Sequence, residues 1–402
     1  GTKIESAANR YTFVWRGSIE KYKIKLEDRI RGTLDQINRS IRADRKAEQE
    51  IETDNEIDPD KLQKKTDQLS KRMKDLNKSE QKAVKQLEQK DLPRLKKYKV
   101  QLEIMADRNS YSKTDTDATF MRMKDDHMRN GQLKPAYNVQ ISTENQFITN
   151  FSLHQRPGDT ATFIPHLKQF EELYNRQSEK AVADAGYGSE QNYEFLEKGN
   201  IQAFVKYNYF HKEQKRAFKN NPFLFQNLYY NPERDYFVCP MGQHMNNIGT
   251  GKRKSDLDYE SDVAYYKAKR CKKCPMRGPC HKGIGERIIM ANHRLIRYRS
   301  QAKELLLSEE GLMHRGKRCI EPEAVFGQLK YNNKFNRFKI KGLKGAEVEF
   351  GLVAIGHNLR KLFKNMLQND LLEAFYLLFF TFLFIRRHNY IFKKNTAEFL
   401  NL

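Results

Sequence analysis

The sequence predicts a mixed α/β core broken by two insertions, one of long helices and one rich in cysteine and aromatic residues. Three patterns predict it. Over residues 18–106 apolar side chains recur at helical spacing, with Ile30, Leu34, Ile37 and Ile41 in one stretch and Leu62, Leu69, Leu76 and Ala83 at every seventh position in another. Over residues 107–203 the period shortens to two, and a run of small residues ending in Asp184 leads into a glycine-bearing turn. Over residues 204–292 periodicity fades among aromatics, charges and most of the cysteines.

Residues 1–17 read as the remainder of a first core strand and its turn, with Tyr11, Phe13 and Trp15 on one face and packing as the expected role of Trp15. The helices that follow are expected to break at Asp58-Pro59 and before Pro93, because proline lacks the N–H a helix interior needs. They read as a hairpin or coiled-coil arm, with dimer or DNA contact as the functional alternative. Past a polar loop, Ala136–Ser142 and Phe147–Leu153 alternate around Thr143-Glu144-Asn145-Gln146, which reads as a β-hairpin. Asp159 is placed to cap a helix running from Thr160 towards Tyr174. Lys180-Ala-Val-Ala-Asp184 reads as a short strand, and Ala185-Gly186-Tyr187-Gly188-Ser189 as a tight turn into a helix. An aspartate at a strand end suits a mixed sheet whose functional groups sit at strand C-termini. Residues 293–365 return to helical patterns, with a helix starting near Glu321-Pro322 and carrying Glu323, Phe326, Gln328 and Lys330, then a basic loop at 332–344, then an apolar helix from Val348 to Phe363. Residues 366–402 hold the apolar run Ala374–Ile385, short for a bilayer span and read as a buried element or interaction surface.

The charge balance narrows the partners. Of 402 residues, 74 are Lys or Arg against 51 Asp or Glu, a formal charge of +23 spread along the whole chain, and such a surface attracts polyanions. Nucleic acid is the favoured partner over anionic lipid or plain basic solubility. No segment has the length to cross a bilayer and no apolar signal opens the sequence, so no membrane partner and a cytoplasmic location are expected. In a reducing compartment the clustered cysteines favour metal over disulfides. Cys239, the Cys271-x2-Cys274 pair and Cys280 are candidate ligands for a structural Zn²⁺, with His244 or His281 as substitutes for one of them, and reduced thiols in a turn-rich insert are the alternative. Cys319 reads as a buried small residue.

Chemistry is carried by Asp184 and Glu323, a strand-end aspartate and a helical glutamate far apart in sequence. Two-metal phosphodiester chemistry needs clustered hard oxygen ligands, although either residue alone would more often be a cap or a solvated charge. Val-Ala-Asp-Ala-Gly-Tyr-Gly-Ser at 182–189 and Glu321-Pro-Glu-Ala-Val-Phe-Gly-Gln-Leu-Lys330 resemble the second-aspartate segment and the glutamate helix of bacterial insertion-sequence transposases of the DDE type, including their E-x6-K spacing. Gly1-Thr-Lys-Ile-Glu-Ser-Ala-Ala-Asn9, Tyr11–Trp15, Ser110–Asp115, Asp117–Lys124, Tyr137–Gln140, Phe335–Phe338 and Gly342–Gly345 are similar to further segments of the same group, in the same order.

The resemblance implies an RNase H-like α/β core with a long helical insertion and a Cys-rich, zinc-ribbon-like insertion. It implies Mg²⁺ or Mn²⁺ held by Asp184 and Glu323, double-stranded DNA as partner at element ends and target, and a homodimer on that DNA. Lys330 would contact phosphate two helical turns from Glu323. Arg318, with Arg315 as rival, would face phosphate, solvated helix charges being their other reading. Arg337 and Lys339 in the basic loop could track the backbone, while Tyr207, Tyr209 and Phe210 could stack on bases or belong to the core. In that group the first catalytic Asp directly precedes the Gly-Thr-Lys segment, where this sequence begins. Glu5 lies too far along the strand to replace it, so the expectation is that this chain alone does not catalyse strand transfer. The alternatives are a non-catalytic DNA-binding remnant with a zinc module and a metal-dependent nuclease on the same fold.

Overall fold

The computed structural model describes residues 1–43, 57–71, 76–123 and 131–368, so the apolar run Ala374–Ile385 lies outside the described residues. Two compact units divide the chain. One comprises Gly1–Val139, Leu153–Thr162 and Asn336–Ala346, and the other comprises Gln140–Ser152, Phe163–Phe335 and the chain from Glu347 onward.

In the first unit, strands β1 (Thr2–Glu5) and β2 (Phe13–Trp15) lead into helices α1 (Arg16–Ala43), α2 (Pro59–Lys71), α3 (Lys78–Gln86) and α4 (Leu92–Met105). The apolar stripes close on one another: Ile30, Leu34, Ile37, Leu62, Leu69 and Leu76 are all buried in one cluster. Pro59 opens α2, where a missing N–H costs nothing. Asn77 caps α3 in a reciprocal box with Glu80. The break expected before Pro93 is not there. A widened turn at Leu87–Asp91 joins α3 to α4 instead, since bonds reaching one residue further carry the backbone past a residue that cannot donate.

Strands β3 (Ser110–Ser112), β4 (Thr119–Arg122) and β5 (Leu133–Glu144) complete this unit. β1 runs antiparallel to β5 with Ile4 opposite Tyr137, β4 pairs the start of β5 with Thr119 opposite Ala136, and β2 pairs β3. Phe120 contacts both Phe13 and Trp15 at ring-centroid distances of 5.9 and 5.7 Å, so Trp15 is a packing residue. Buried Tyr137 donates to both oxygens of Asp115 at 3.0 Å. Glu5 is also buried, ion-paired with Arg10 at 3.1 Å and Lys134 at 3.4 Å.

Strand β6 (Phe147–His154) returns antiparallel to β5, and the hairpin tip belongs to the second unit. Asn145 and Gln146 take φ of 51° and 66°, the left-handed pair of a two-residue turn that matches strand twist. Helix α5 (Phe163–Tyr174) follows a single tight turn, Thr160–Thr162, and then come β7 (Lys180–Ala183), α6 (Glu190–Lys198) and β8 (Gln202–Val205). β7 and β8 are parallel, with Ala183 opposite Val205. They form a separate pair among the described strands rather than part of one continuous sheet with β1, β5, β4 and β6.

After short helices α7 (Phe210–Glu213) and α8 (Arg216–Lys219), the stretch with weak periodicity is an antiparallel sheet of β9 (Tyr230–Asn231), β10 (Tyr236–Val238), β11 (His244–Lys254), β12 (Glu260–Lys267) and, past a turn of helix α9 (Arg277–Cys280), β13 (Ile288–Ala291). In β11 only Met245 is buried, which is why no alternating pattern marks it. Helices α10 (His293–Leu307), α11 (Glu309–Lys317), α12 (Ala324–Gly327) and α13 (Leu343–Gln368) finish the described chain. The molecule is thus mixed α/β, and among the described residues no helix is long and apolar enough to cross a membrane.

Candidate carboxylate centre

Asp184 follows the last residue of β7 and caps the turn Ala185–Tyr187, accepting from the Ala185 N–H at 2.9 Å. Gly188 fixes where that turn lies. A Cβ there would stand 2.8 Å from the Cα of Tyr207 and closer still to the Lys206 carbonyl oxygen, so only glycine lets the turn rest on the end of β8. The Lys206 N–H in turn donates to Ala183 at 3.2 Å, which sets Asp184 and Lys206 side by side at the C-terminal ends of parallel strands.

Glu323 arrives on a helix that begins well before Glu321. Ser308 caps α11 through the Gly311 N–H at 3.1 Å, and a Cβ on Gly311 would lie 2.7 Å from the Leu306 carbonyl carbon, so α10 and α11 meet at a corner that needs glycine. From α11 the helix continues through a widened turn, Cys319–Glu323, with Pro322 inside it, then α12, then a second widened turn, Gln328–Asn332. The helix therefore neither starts at Pro322 nor keeps a 3.6-residue repeat. The phase shift has a consequence for the E-x6-K pair: the Glu323 side chain is 55% exposed, whereas Lys330 is 6% exposed. Lys330 lies inward, not beside Glu323 on a common outer face.

Arg318 joins the two carboxylates. Its Nη1 lies 2.8 Å from Asp184 Oδ1, while its Nη2 donates to Asp184 Oδ2 at 2.9 Å and to Glu323 Oε1 at 3.0 Å. A planar fork suits this double engagement, since guanidinium offers parallel donors in fixed geometry. The guanidinium is largely covered, and Asp184 is about half-exposed. Partial burial would raise the Asp184 pKa, but the Ala185 N–H and the Arg318 charge outweigh it and hold the carboxyl below the usual aspartate range. Cys319 is exposed beside this centre rather than buried.

Sequence reasoning missed two neighbours, Lys206 and His211. Burial, then the charges of Arg318 and Arg315, depress the Lys206 pKa against the pull of Asp184, and burial with Lys206 and Arg315 depresses His211. The signal for Lys206 was present as a cation directly ending the apolar segment Ala203-Phe204-Val205. Arg315 donates to the Leu306 carbonyl at 3.3 Å and lies over the Phe210 ring, 5.1 Å from its centroid. Tyr207 and Phe210 are core residues, and Tyr209 is exposed. Glu321 accepts from the Gln146 N–H at 2.8 Å and so secures the hairpin tip. In the other unit, Arg337 donates to the carbonyls of Ser6 at 3.0 Å and Ala8 at 2.8 Å, and Lys339 is exposed.

Among the described residues, no three His, Cys, Asp or Glu side chains are placed to share a metal ion. Asp184 and Glu323 nonetheless suit Mg²⁺ as donors: both are hard, ionisable oxygens open to water, and Mg²⁺ commonly takes one or two carboxylates while keeping water and substrate oxygens. The thiols are placed as follows among the described residues. Cys271 and Cys274 share a tight turn with Cys274 N–H donating to Cys271 at 3.2 Å, and Cys280 Sγ accepts from Arg287 at 3.1 Å. The expected set of Cys239, Cys271, Cys274 and Cys280, or His244 or His281 in place of one, is not assembled.

No curated protein and no solved structure gives a match to the chain. Residues 238–363, which include Arg318, Glu323 and Lys330 but begin after Asp184, match the family described as transposase DDE domain, and over this stretch the chain is similar to such domains.

Proposed function

We propose that the chain acts on double-stranded DNA as the DDE portion of an insertion-sequence transposase with an RNase H-like core, using Asp184 and Glu323 to hold Mg²⁺ or Mn²⁺. The observation that supports this most is the single guanidinium shared by Asp184 and Glu323, residues that sequence separates widely and folding brings within reach of one cation. A divalent ion bound there would activate the attacking oxygen and neutralise the leaving oxygen of a phosphodiester. Asp184 and Glu323 supply the negative oxygens, and the half-exposed position of each leaves room for a DNA strand. Arg318, once released from the carboxylates, has a phosphate as its natural next partner, because guanidinium pairs with phosphate as it does with carboxylate. Assembly as a homodimer on DNA belongs to the same proposal. A second reading, a DNA-binding chain that cleaves nothing, is favoured by the lack of a third carboxylate at the centre among the described residues.

Titration with Mn²⁺ followed by electron paramagnetic resonance, with and without duplex DNA, tests the reading. The expected outcome is Mn²⁺ binding that DNA strengthens and that Asp184→Asn or Glu323→Gln each weakens by tenfold or more, on the order of a lost ligand. Equal Mn²⁺ binding by wild type and both variants would remove the carboxylates from the proposed role.

A further inference from the structure

The carboxylate centre carries more positive charge than its own acids use. Arg318 engages both Asp184 and Glu323, and Lys206 and Arg315 crowd the same place. Among the described residues, the Lys206 ammonium makes no ion pair, although Asp184 stands at the end of the neighbouring strand. Its position is built rather than incidental. The Lys206 backbone is hydrogen-bonded to Ala183, and the Gly188 turn is pressed against its carbonyl. The side chain is half-buried, with Arg318 and Arg315 as well as Asp184 among its charged neighbours. Arg318, Arg315 and Lys206 against Asp184 and Glu323 leave one positive charge in excess, which a further anion would balance.

We propose that Lys206 is a phosphate-binding residue of this centre, taking a backbone phosphodiester of DNA beside Asp184. This rests on the reading of the chain as acting on DNA, and it adds a contact that neither the E-x6-K pair nor the basic loop supplies. Arg315, held over Phe210 with one nitrogen on the Leu306 carbonyl, is the second cation on the same side.

The test measures binding of a fluorescein-labelled duplex of about 25 base pairs by the full chain across roughly 50 to 200 mM KCl, comparing wild type with Lys206→Gln, Lys206→Arg and, as a control on an exposed helix, Lys198→Gln. Losing one phosphate contact is expected to reduce the slope of log affinity against log salt by about 0.9 and to weaken binding about fivefold near 150 mM salt. Lys206→Arg should keep the slope, and Lys198→Gln should match wild type. Lys206→Met, which keeps the aliphatic stem, replaces the glutamine variant if the latter melts early. A slope for the neutral variants equal to that of Lys198→Gln, with DNA binding intact, overturns the assignment of Lys206 while leaving the DNA reading standing. Failure of the wild-type chain to bind the duplex overturns both. A lower melting temperature with an unchanged slope would make Lys206 a structural counter-ion only, and the proposal would fall.

Discussion

Replacing Gly188 with alanine tests how tightly the centre depends on one close approach. The residue has φ of −78° and ψ of 67°, which alanine can adopt, so conformational strain plays little part. The cost is steric. A new Cβ would meet the Cα of Tyr207 at 2.8 Å and the Lys206 carbonyl at a still shorter distance, against an ordinary contact of about 3.5 Å, so the turn and the end of β8 must separate by roughly 1 Å. Both atoms are backbone and cannot rotate away. Overpacking of this kind costs about 1–3 kcal/mol, which for a unit of this size is a fall in melting temperature of roughly 2–12 °C. Because the displaced turn carries Asp184, Mn²⁺ affinity should also drop by about 10- to 100-fold, as it does when a group orienting a ligand is moved. Gly316→Ala is the internal control. Gly316 lies within α11 with nothing near its absent Cβ, so the same change there should stabilise by about 0.5–1 kcal/mol. Calorimetry on both variants, with the Mn²⁺ titration, decides the matter. If Gly188→Ala melts at or above wild type and binds Mn²⁺ normally, the close approach does not position the carboxylate.

Three further outcomes follow from the charges. Arg318→Gln removes the cation that now satisfies Asp184 and Glu323, so Mn²⁺ should bind the DNA-free protein more tightly than wild type, and a weaker Mn²⁺ isotherm would refute the idea that guanidinium and metal compete for the same oxygens. The folded pKa of Asp184 is depressed, so the stability this pairing contributes is present above the ordinary aspartate value of 3.8 and lost as pH falls through the lower folded value. The gap between wild type and Arg318→Gln should therefore be full at neutral pH and close only in strong acid. In the first unit, burial outweighs Asp159 and pushes the His154 pKa from 6.5 down to about 4. The unfolded chain then takes up a proton that the folded one refuses, so stability should fall as pH drops from 6.5 towards 4, and a His154 ring titrating near 6.5 by NMR would contradict this.

What could be read from the sequence was local. The hairpin was legible because alternation on both sides of Asn145 coincided with a turn residue tolerant of positive φ. Asp184 was legible because small residues and glycines bracket it, and the arm was legible because Leu62, Leu69 and Leu76 share a face that must be covered. The five-stranded sheet was not, because a strand such as β11 with one buried residue carries no periodic signal. Helix phase was also hidden. Widened turns at 87–91, 319–323 and 328–332 leave no mark in the apolar spacing, and the last two shift the helix phase so that Glu323 faces water while Lys330 faces inward. The role of Arg318 as a bridge was likewise tertiary, since it needs α11 to bring residue 318 to the end of β7.

That bridge bears on how DNA and metal would act together on the proposed reading. Two half-exposed carboxylates facing one another repel, and Arg318 offsets that repulsion while holding both side chains in one orientation. An arriving phosphate competes with the carboxylates for the same donors, and an arriving divalent ion competes with Arg318 for the same oxygens. Each ligand thus removes part of the obstacle to the other: a phosphate that draws the guanidinium away frees metal sites, and a metal that displaces it frees a phosphate donor. Linkage makes such coupling reciprocal, so the factor by which DNA raises Mn²⁺ affinity must equal the factor by which Mn²⁺ raises DNA affinity. Arg318→Gln should shrink both factors together, because the shared group through which they communicate is gone, and a coupling that survives the substitution intact would place its origin elsewhere.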